Sequence, residues 1–267
     1  MMMNTLQQIF AYKKKELEET KKKLPMTTML RSLSVNPPKF LSALRKPGPA
    51  VIAEFKRASP SAGVISANGS VEKITADYAS AGAAALSVLT EKQFFGGSES
   101  DLKAAKKTSK LPILRKDFIF DQYQILEAKS WGADAVLLIA AMLADAKLSI
   151  LLQACRKWEL EAVVEVHTKS ELERALAFGA DIVGVNNRDL KTMRVDVKTS
   201  FELAEWMDGH TTFISESGID SPETAVRLHR AGYKGFLIGT HFMRQPEPGK
   251  ELKRFLTELK KLTHVKS

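Results

Sequence analysis

Six polar residues each follow a short apolar run in this chain: Lys56, Lys116, Glu165, Asn186, Glu216 and Thr240. Lysines and glutamates gathered in one place can pass protons, and backbone N–H groups at a helix start can hold an anion beside them. Glu54 and Lys56 lie two apart in AEFKRASPSAG, so an extended chain turns both the same way. Ala50 to Ala53 precede Glu54, which puts its carboxylate in the buried part of a strand, where it needs a partner. Lys116 directly follows LPILR. If it faces the same mouth as Lys56, each ammonium is expected to lower the other's pKa and make proton donation feasible near neutral pH. Glu165, between Val164 and Val166, also carries a charge into an apolar strand, and a lysine at the mouth is its natural partner. His167 reads as a loop residue. Arg188, after Asn186 and Asn187, suits either a carboxylate or phosphate clamp or a surface pair.

Eight apolar runs must position these groups: Ala50 to Phe55, Ala84 to Leu89, Leu111 to Leu114, Ala135 to Ile139, Ala162 to Val166, Ile182 to Val185, Thr212 to Ile214 and Gly235 to Ile238. Near-continuous apolar runs mark parallel strands covered on both faces. Helical stretches alternate with them, among them Val71 to Ser80, Gln122 to Trp131, Asp145 to Trp158, Ser170 to Phe178 and Pro222 to Ala231. Several end in a glycine suited to a left-handed C-cap. The pattern predicts an α/β fold, a single (β/α)8 TIM barrel, which takes about 250 residues and so uses nearly all of the 267 present. Residues 1–45 read as an N-terminal helical extension packed on the barrel, and residues 46–267 as the catalytic barrel. In the extension Leu6, Ile9, Phe10 and Leu17 share a helical face, Pro25 and Pro37-Pro38 punctuate, and Phe40, Leu41 and Leu44 begin again.

In such a barrel the site lies at the C-terminal ends of the strands. The loop Ser59 to Gly63 is rich in small residues and can approach a ligand closely. The seventh strand runs into Ser215-Glu216-Ser217-Gly218 and the eighth into Gly239-Thr240, the two loops that commonly cradle a phosphate in this architecture. A phosphorylated, sugar-like substrate and acid-base chemistry from two lysines and one or two glutamates follow. The net charge of +9 suits a polyanionic small substrate. Its densest cluster, Lys13 to Lys15 with Lys21 to Lys23, is interrupted by Glu16, Glu18 and Glu19, and reads as a solvated helix face, with Lys14 and Glu18, and Lys15 and Glu19, spaced for weak pairs. No nucleic-acid motif accompanies it, the longest apolar stretch is too short to span a bilayer, and the start lacks a secretory pattern; no nucleic-acid or membrane partner is expected, and the cytoplasm is the expected compartment. Cys155, the sole cysteine, reads as a buried inert thiol.

IAEFKRASPSAG, ALSVLTEKQFFGGS, ILRKDFI, GADAVLLI, VVEVH, VGVNNRDL, SESGI and FLIGTHFM occur in order between about residues 50 and 245. In these motifs the chain resembles the indole-3-glycerol phosphate synthase family of tryptophan biosynthesis. The resemblance implies cyclisation of 1-(2-carboxyphenylamino)-1-deoxyribulose 5-phosphate with loss of CO2 and water, with no metal or organic cofactor, and possible company of other tryptophan-pathway enzymes. It assigns Lys116 as the acid at the substrate carbonyl, Glu165 as a base in dehydration, and Lys56 as the partner of the anthranilate carboxylate and a proton donor. Glu54 would orient the lysines, Asn186 and Arg188 position substrate, and Ser217 order the intermediate. Phe95, Phe118 and Leu137 match positions against the anthranilate ring, Ser59 belongs to the substrate-binding set, and Gly218, Gly239 and Thr240 would receive the phosphate. The loops 59–63 and 94–98 would serve as lids. His241 departs from the small residues common there, and either alters the phosphate site or begins the last helix. No second fused barrel is expected in this sequence, which reads as monofunctional. Two readings of other classes compete: a Schiff-base aldolase using Lys116, and a nucleic-acid binder using the basic extension.

Overall fold

The computed structural model describes residues 5–30, 33, 39–66, 69–190 and 192–264; the Pro37-Pro38 pair lies outside them. Eight parallel strands close into a barrel: β1 (Ala50–Phe55), β2 (Ala85–Leu89), β3 (Ile113–Lys116), β4 (Ala135–Ile139), β5 (Glu161–Val166), β6 (Ile182–Asn186), β7 (Thr212–Glu216) and β8 (Gly235–Ile238). The ring closes where Ala50 to Ala53 of β1 pair with Gly235 to Ile238 of β8. All six residues of β1 are buried, and so are all those of β2, β4, β6, β7 and β8. That is why the runs carry no polar alternation: side chains pointing inward meet the barrel's own core, and those pointing outward meet helices. The inner core holds Ile52, Leu114, Leu137, Val163, Ile214 and Leu237.

Three strands, β2, β5 and β6, differ by one residue at one end from the runs read in sequence, and two differ by more. The third begins at Ile113 rather than Leu111, because Pro112 has no N–H for the ladder, and it continues through Arg115 and Lys116. The seventh continues through Glu216, which pairs in register with Asn186. In both, charged residues sit within the buried ladder and not after it.

The outer helices α4 (Val71–Ala81), α5 (Glu99–Thr108), α6 (Gln122–Trp131), α7 (Asp145–Lys157), α8 (Lys169–Ala177), α9 (Lys198–Ala204) and α10 (Pro222–Arg230) follow successive strands. Side chains of Ser70, Ser98, Asp121, Thr168 and Ser221 cap five of them by accepting N–H bonds that the first turn leaves free. Gly82 and Gly132 turn the chain back at φ of 105° and 89°, in left-handed backbone that disfavours a side chain. A short α11 (Thr240–Met243) and the final α12 (Pro248–His264) complete the ring.

Ahead of the barrel come α1 (Thr5–Lys23), α2 (Met26–Leu30) and α3 (Phe40–Leu44). Phe40 and Leu44 are fully buried among inner-core residues, and the Leu41 N–H donates to Glu161 Oε2 at the start of β5 (2.8 Å), so α3 stoppers the N-terminal end of the barrel. At the other end α1 docks through Phe10 edge-on to Phe120 (4.8 Å between centroids) and Lys21 on Asp121 (2.8 Å), and Tyr123 donates to the Leu24 carbonyl (2.6 Å). One expectation for this helix is wrong. Lys13 does not belong to a solvated face: it is only 5% exposed and its ammonium lies 3.1 Å from Asp117 Oδ1. Its helix neighbour Glu16 does pair with it (2.6 Å), as on a surface face, but Asp117 in the loop after β3 holds it from the other side inside the protein.

Candidate active site

A cavity of about 670 Å³ opens at the C-terminal ends of the strands. Lys56, Glu54 and Ser59 reach it from β1 and its loop; Phe95 from the loop after β2; Lys116 and Phe118 from β3 and its loop. Leu137 comes from β4, Glu165 from β5, Asn186 and Arg188 from β6, Ser217 and Gly218 from the loop after β7, and Gly239 and Thr240 from the end of β8. Every residue singled out in sequence for catalysis or binding therefore lines this one space.

Lys116 is its electrostatic centre. The ammonium lies 2.8 Å from Glu165 Oε2 and 3.0 Å from Glu216 Oε2. Burial alone would lower its pKa, but Glu165, Glu216 and Glu54 outweigh that and hold it well above the ordinary lysine range. This corrects the expectation that a second lysine would depress it: three converging carboxylates decide the sign. Lys56 has its own partner, donating to Glu54 Oε1 (2.7 Å), and Ser87 donates to Glu54 Oε2 (3.3 Å).

The two glutamates that share Lys116 are driven apart. For Glu165, burial favours the neutral acid, yet Lys116 and His167 outweigh it and keep the carboxyl below its usual range. For Glu216, burial dominates, repulsion from Glu165 and Glu54 adds to it, and the group is pushed up to about 7 although Lys116 opposes this. Its Oε1 is buried and accepts no hydrogen bond. Sequence reading placed Glu216 at a strand end but gave it no role; the signal was the charge closing the buried run TFISE, and its pairing with Lys116 exists only once the barrel closes. The glycine Gly184 of β6 makes the room, since a Cβ there would collide with the Glu216 carboxylate.

His167 stands behind Glu165, at 3.6 Å from Oε1, and 3.4 Å from Glu171, outside the cavity lining. Burial lowers its pKa, but Glu171 and Glu165 together raise it above the ordinary value. It supports Glu165 from outside and does not face the cavity.

On the far side Asn187, missed in sequence, ties the loops together. It donates to Ser215 Oγ (3.1 Å) and the Ser217 carbonyl (3.0 Å) and accepts from the Ser200 N–H (3.0 Å) and hydroxyl (2.8 Å). Ser217 is held at a φ of 66°, rare for a residue with a side chain, and Gly218 follows at 73°; a Cβ on Gly218 would meet Val195 at 2.6 Å. A Cβ on Gly239 would collide with the Glu54 carboxylate. These turns leave backbone bare beside the start of α11. His241 belongs to α11 and not to the last helix; its Nε2 lies 3.1 Å from Glu251 Oε1 while the residue still borders the cavity. Arg188 donates to the Met193 carbonyl (2.9 Å), which leaves the rest of its fork toward the cavity, and burial lowers its pKa.

The apolar wall is made of Phe95 and Phe118, with ring centroids 6.0 Å apart, together with Leu137 and the α1 residues Leu6 and Ile9. Cys155 lies away from this space, buried, with burial pushing its thiol up to about 12. Among the described residues no cluster of His, Cys, Asp or Glu is arranged to hold a metal ion, and no helix is long and apolar enough to cross a membrane.

The fold resembles that of 3-hexulose-6-phosphate synthase from Salmonella typhimurium (TM-score 0.62, 12% identity, 79% of this chain and 99% of that one). It also resembles thiamine phosphate pyrophosphorylase from Pyrococcus furiosus (TM-score 0.59, 14% identity, 80% and 96%). At such identities the likeness speaks of the barrel alone. Sequence relatives say more. A protein of Bacteroides thetaiotaomicron named indole-3-glycerol phosphate synthase is 42% identical over 257 residues, 96% of this chain and 98% of its own. One of the same name from Campylobacter jejuni is 44% identical over 256 residues, 94% and 99%. A family profile described as indole-3-glycerol phosphate synthase matches residues 6–255, so it takes in the α1 wall as well as the ring of strand ends, and the chain belongs to the indole-3-glycerol phosphate synthase family.

Proposed function

We propose that this protein is the indole-forming enzyme its family denotes, cyclising 1-(2-carboxyphenylamino)-1-deoxyribulose 5-phosphate to indole-3-glycerol phosphate with loss of CO2 and water. The observation that carries the reading is Lys116, a buried ammonium shared by two carboxylates of opposite tendency, at the floor of a cavity with an aromatic wall on one side and bare turns on the other.

The aromatic ring of the substrate lies against Phe95, Phe118 and Leu137, and the phosphate meets the turns at Gly218, Gly239 and Thr240. Ser59 lies on the hairpin Ala58–Ser59 with Gly63–Val64 that folds over the mouth, and it helps cover the substrate. Lys116, kept protonated, donates toward the ketone oxygen as the ring carbon attacks, so the new carbon–carbon bond forms without a free alkoxide. Loss of CO2 then restores aromaticity. Lys56, partnered by Glu54, sets a cation beside the carboxylate and can protonate the leaving hydroxyl. Glu165, held ionised, takes the remaining proton in dehydration. Glu216 joins the set as a carboxyl that exchanges its proton near neutrality, with its Oε1 unbonded and packed beside Gly184. Asn186 and Arg188 hold the sugar chain, and Ser217 orders the intermediate. These proton transfers need no metal or organic cofactor.

In this reading residues 1–45 are an extension that docks on, and helps to wall, a catalytic barrel of residues 46–267. A cytoplasmic location and the company of other tryptophan-pathway enzymes belong to the same proposal, and rest on the biosynthetic role of the family alone. A Schiff-base route through Lys116 is disfavoured, since imine formation needs a neutral amine and this one is held as ammonium. The test is direct: mixed with the anthranilate-ribulose phosphate in the presence of a chelator, the protein should produce indole fluorescence. No indole product, or a borohydride-trapped adduct on Lys116, would overturn the assignment.

A further inference from the structure

The best-satisfied carboxylate near the mouth belongs to Asp117, which the chemistry above does not use. It is fully buried at its side chain and accepts from Thr90 Oγ1 (2.7 Å), Arg115 Nη2 (2.9 Å) and the Phe118 N–H (2.8 Å). Lys13 of α1 adds an ammonium at 3.1 Å. Burial would push this carboxyl up, but Lys13 and Arg115 prevail and hold it well below the usual range. Arg115, itself buried, reaches on to Glu127 (2.8 Å) and lies against the Trp131 ring (4.0 Å).

Side chains alternate along an extended chain, so a grip on residues 115 and 117 from outside the barrel decides how 116 and 118 aim inside it. Lys116, Asp117 and Phe118 all border the cavity, but the Asp117 carboxylate is turned to Thr90, Arg115 and Lys13, which leaves Lys116 and Phe118 to face substrate. The Lys116 carbonyl is held too, accepting the Thr90 N–H (3.2 Å). A second loop joins at the same point. Glu91, with no exposure, accepts the N–H groups of Gln93 (3.0 Å), Phe94 (2.7 Å) and Phe95 (3.1 Å), and so fixes the loop that presents Phe95. Asp117 and Glu91 repel each other, and Lys13 attracts both. Apolar docking of α1 through Leu6, Ile9 and Phe10 has no use for a buried ammonium, which costs several kcal/mol unless its partners repay it. Glu16 of the same helix pairs with it most closely (2.6 Å), but the partner across the interface is Asp117, with Glu91 adding longer-range attraction, and these two carboxylates set the loops bearing Lys116, Phe118 and Phe95.

We propose that Lys13 is a positioning residue for the reaction: α1 delivers its ammonium to Asp117, fixing the 116–118 segment and thereby the aim of Lys116 and Phe118. The rate effect rests on the synthase reading, but the positioning itself can be followed without turnover. Full-length Lys13→Met removes the charge at similar volume, and Lys13→Arg keeps it. With circular dichroism showing both folded at the assay temperature, Lys13→Met should lose kcat on the order of 10²-fold, the scale of a small misplacement at the reacting centre. Its KM should change by less than about threefold, and Lys13→Arg should recover much of the rate. In parallel, the ¹⁵N-ammonium resonance of Lys116, assigned by its loss in Lys116→Met, should shift or broaden in Lys13→Met. A folded Lys13→Met with wild-type kcat, or with an unaltered Lys116 resonance, overturns the proposal. An inactive wild type with a Lys13-dependent Lys116 resonance would instead overturn the synthase reading. If Lys13→Met does not fold, Lys13→Met with Asp117→Asn removes both charges; a slow folded double variant supports the assignment, and wild-type turnover in it refutes it.

Discussion

Replacing Lys116 by methionine keeps the bulk of the side chain and removes one charge from the middle of Glu165, Glu216 and Glu54. At an effective dielectric of about 20, a carboxylate 2.8 or 3.0 Å from an ammonium is attracted by about 6 kcal/mol, a gain that the desolvation of each ion largely offsets. The variant can escape the loss by protonating its carboxylates, so the fold should survive with a modest penalty. Catalysis has no such escape. The proton donor at the ketone is gone, which alone is worth about 10²–10⁴ in rate, and a protonated Glu165 can no longer serve as base. Single-turnover formation of indole product should therefore slow by at least about 10³-fold at pH 7, with substrate affinity changed far less, because the aromatic wall and phosphate turns are untouched. Raising the pH should restore part of the dehydration step by ionising Glu165, though not the ring closure. A Lys116→Met variant that cyclises substrate within about threefold of wild type would refute the reasoning that this ammonium is the acid.

Glu216 supplies a pH test. Its folded-state pKa, pushed up to about 7, stands above the ordinary glutamate value of 4.5, so its contribution to stability is fully present below about 4.5 and is lost as pH rises through about 7. Glu216→Gln should thus gain stability relative to wild type between pH 5 and pH 8 in urea titrations, and the inflection of kcat/KM near pH 7 should vanish with it; a parallel pair of stability curves would count against the assignment. Asn187→Ala strands the Ser200 and Ser217 groups it satisfies, at a cost of about 2–3 kcal/mol, and by loosening the Ser217-Gly218 turn should raise KM for the phosphorylated substrate more than it lowers kcat. Gly239→Ala drives a methyl group into the Glu54 carboxylate, so about 1–3 kcal/mol of overpacking should appear together with a fall in kcat, measured in the same assay; a fully active alanine variant would show that Glu54 can move without consequence.

The strand ends were legible in sequence because a parallel barrel buries both faces of every strand, so a lysine or glutamate closing an apolar run stands out. Helix ends were legible through their caps. What sequence could not show is convergence. The pKa direction at Lys116 was misread because the two lysines were visible while the meeting of Glu165 and Glu216 on one of them depends on ring closure. Lys13 was misread for the opposite reason: Glu16 on the same helix pairs with it as on a surface face, while the aspartate that completes its buried site lies far along the chain. Asn187 gave no signal, since an asparagine after a strand looks like any turn residue until its four bonds are seen.

The placement of α3 bears on traffic through the enzyme. With Phe40 and Leu44 sealing the floor, the cavity opens, among the described residues, at the opposite end, where its lining includes Leu6 and Ile9 of α1. Carbon dioxide and water released in the proposed reaction must leave by the path the substrate used to enter, beneath α1. One N-terminal segment would then serve as both plug and doorframe, and loosening either helix would change the order in which small and large products escape.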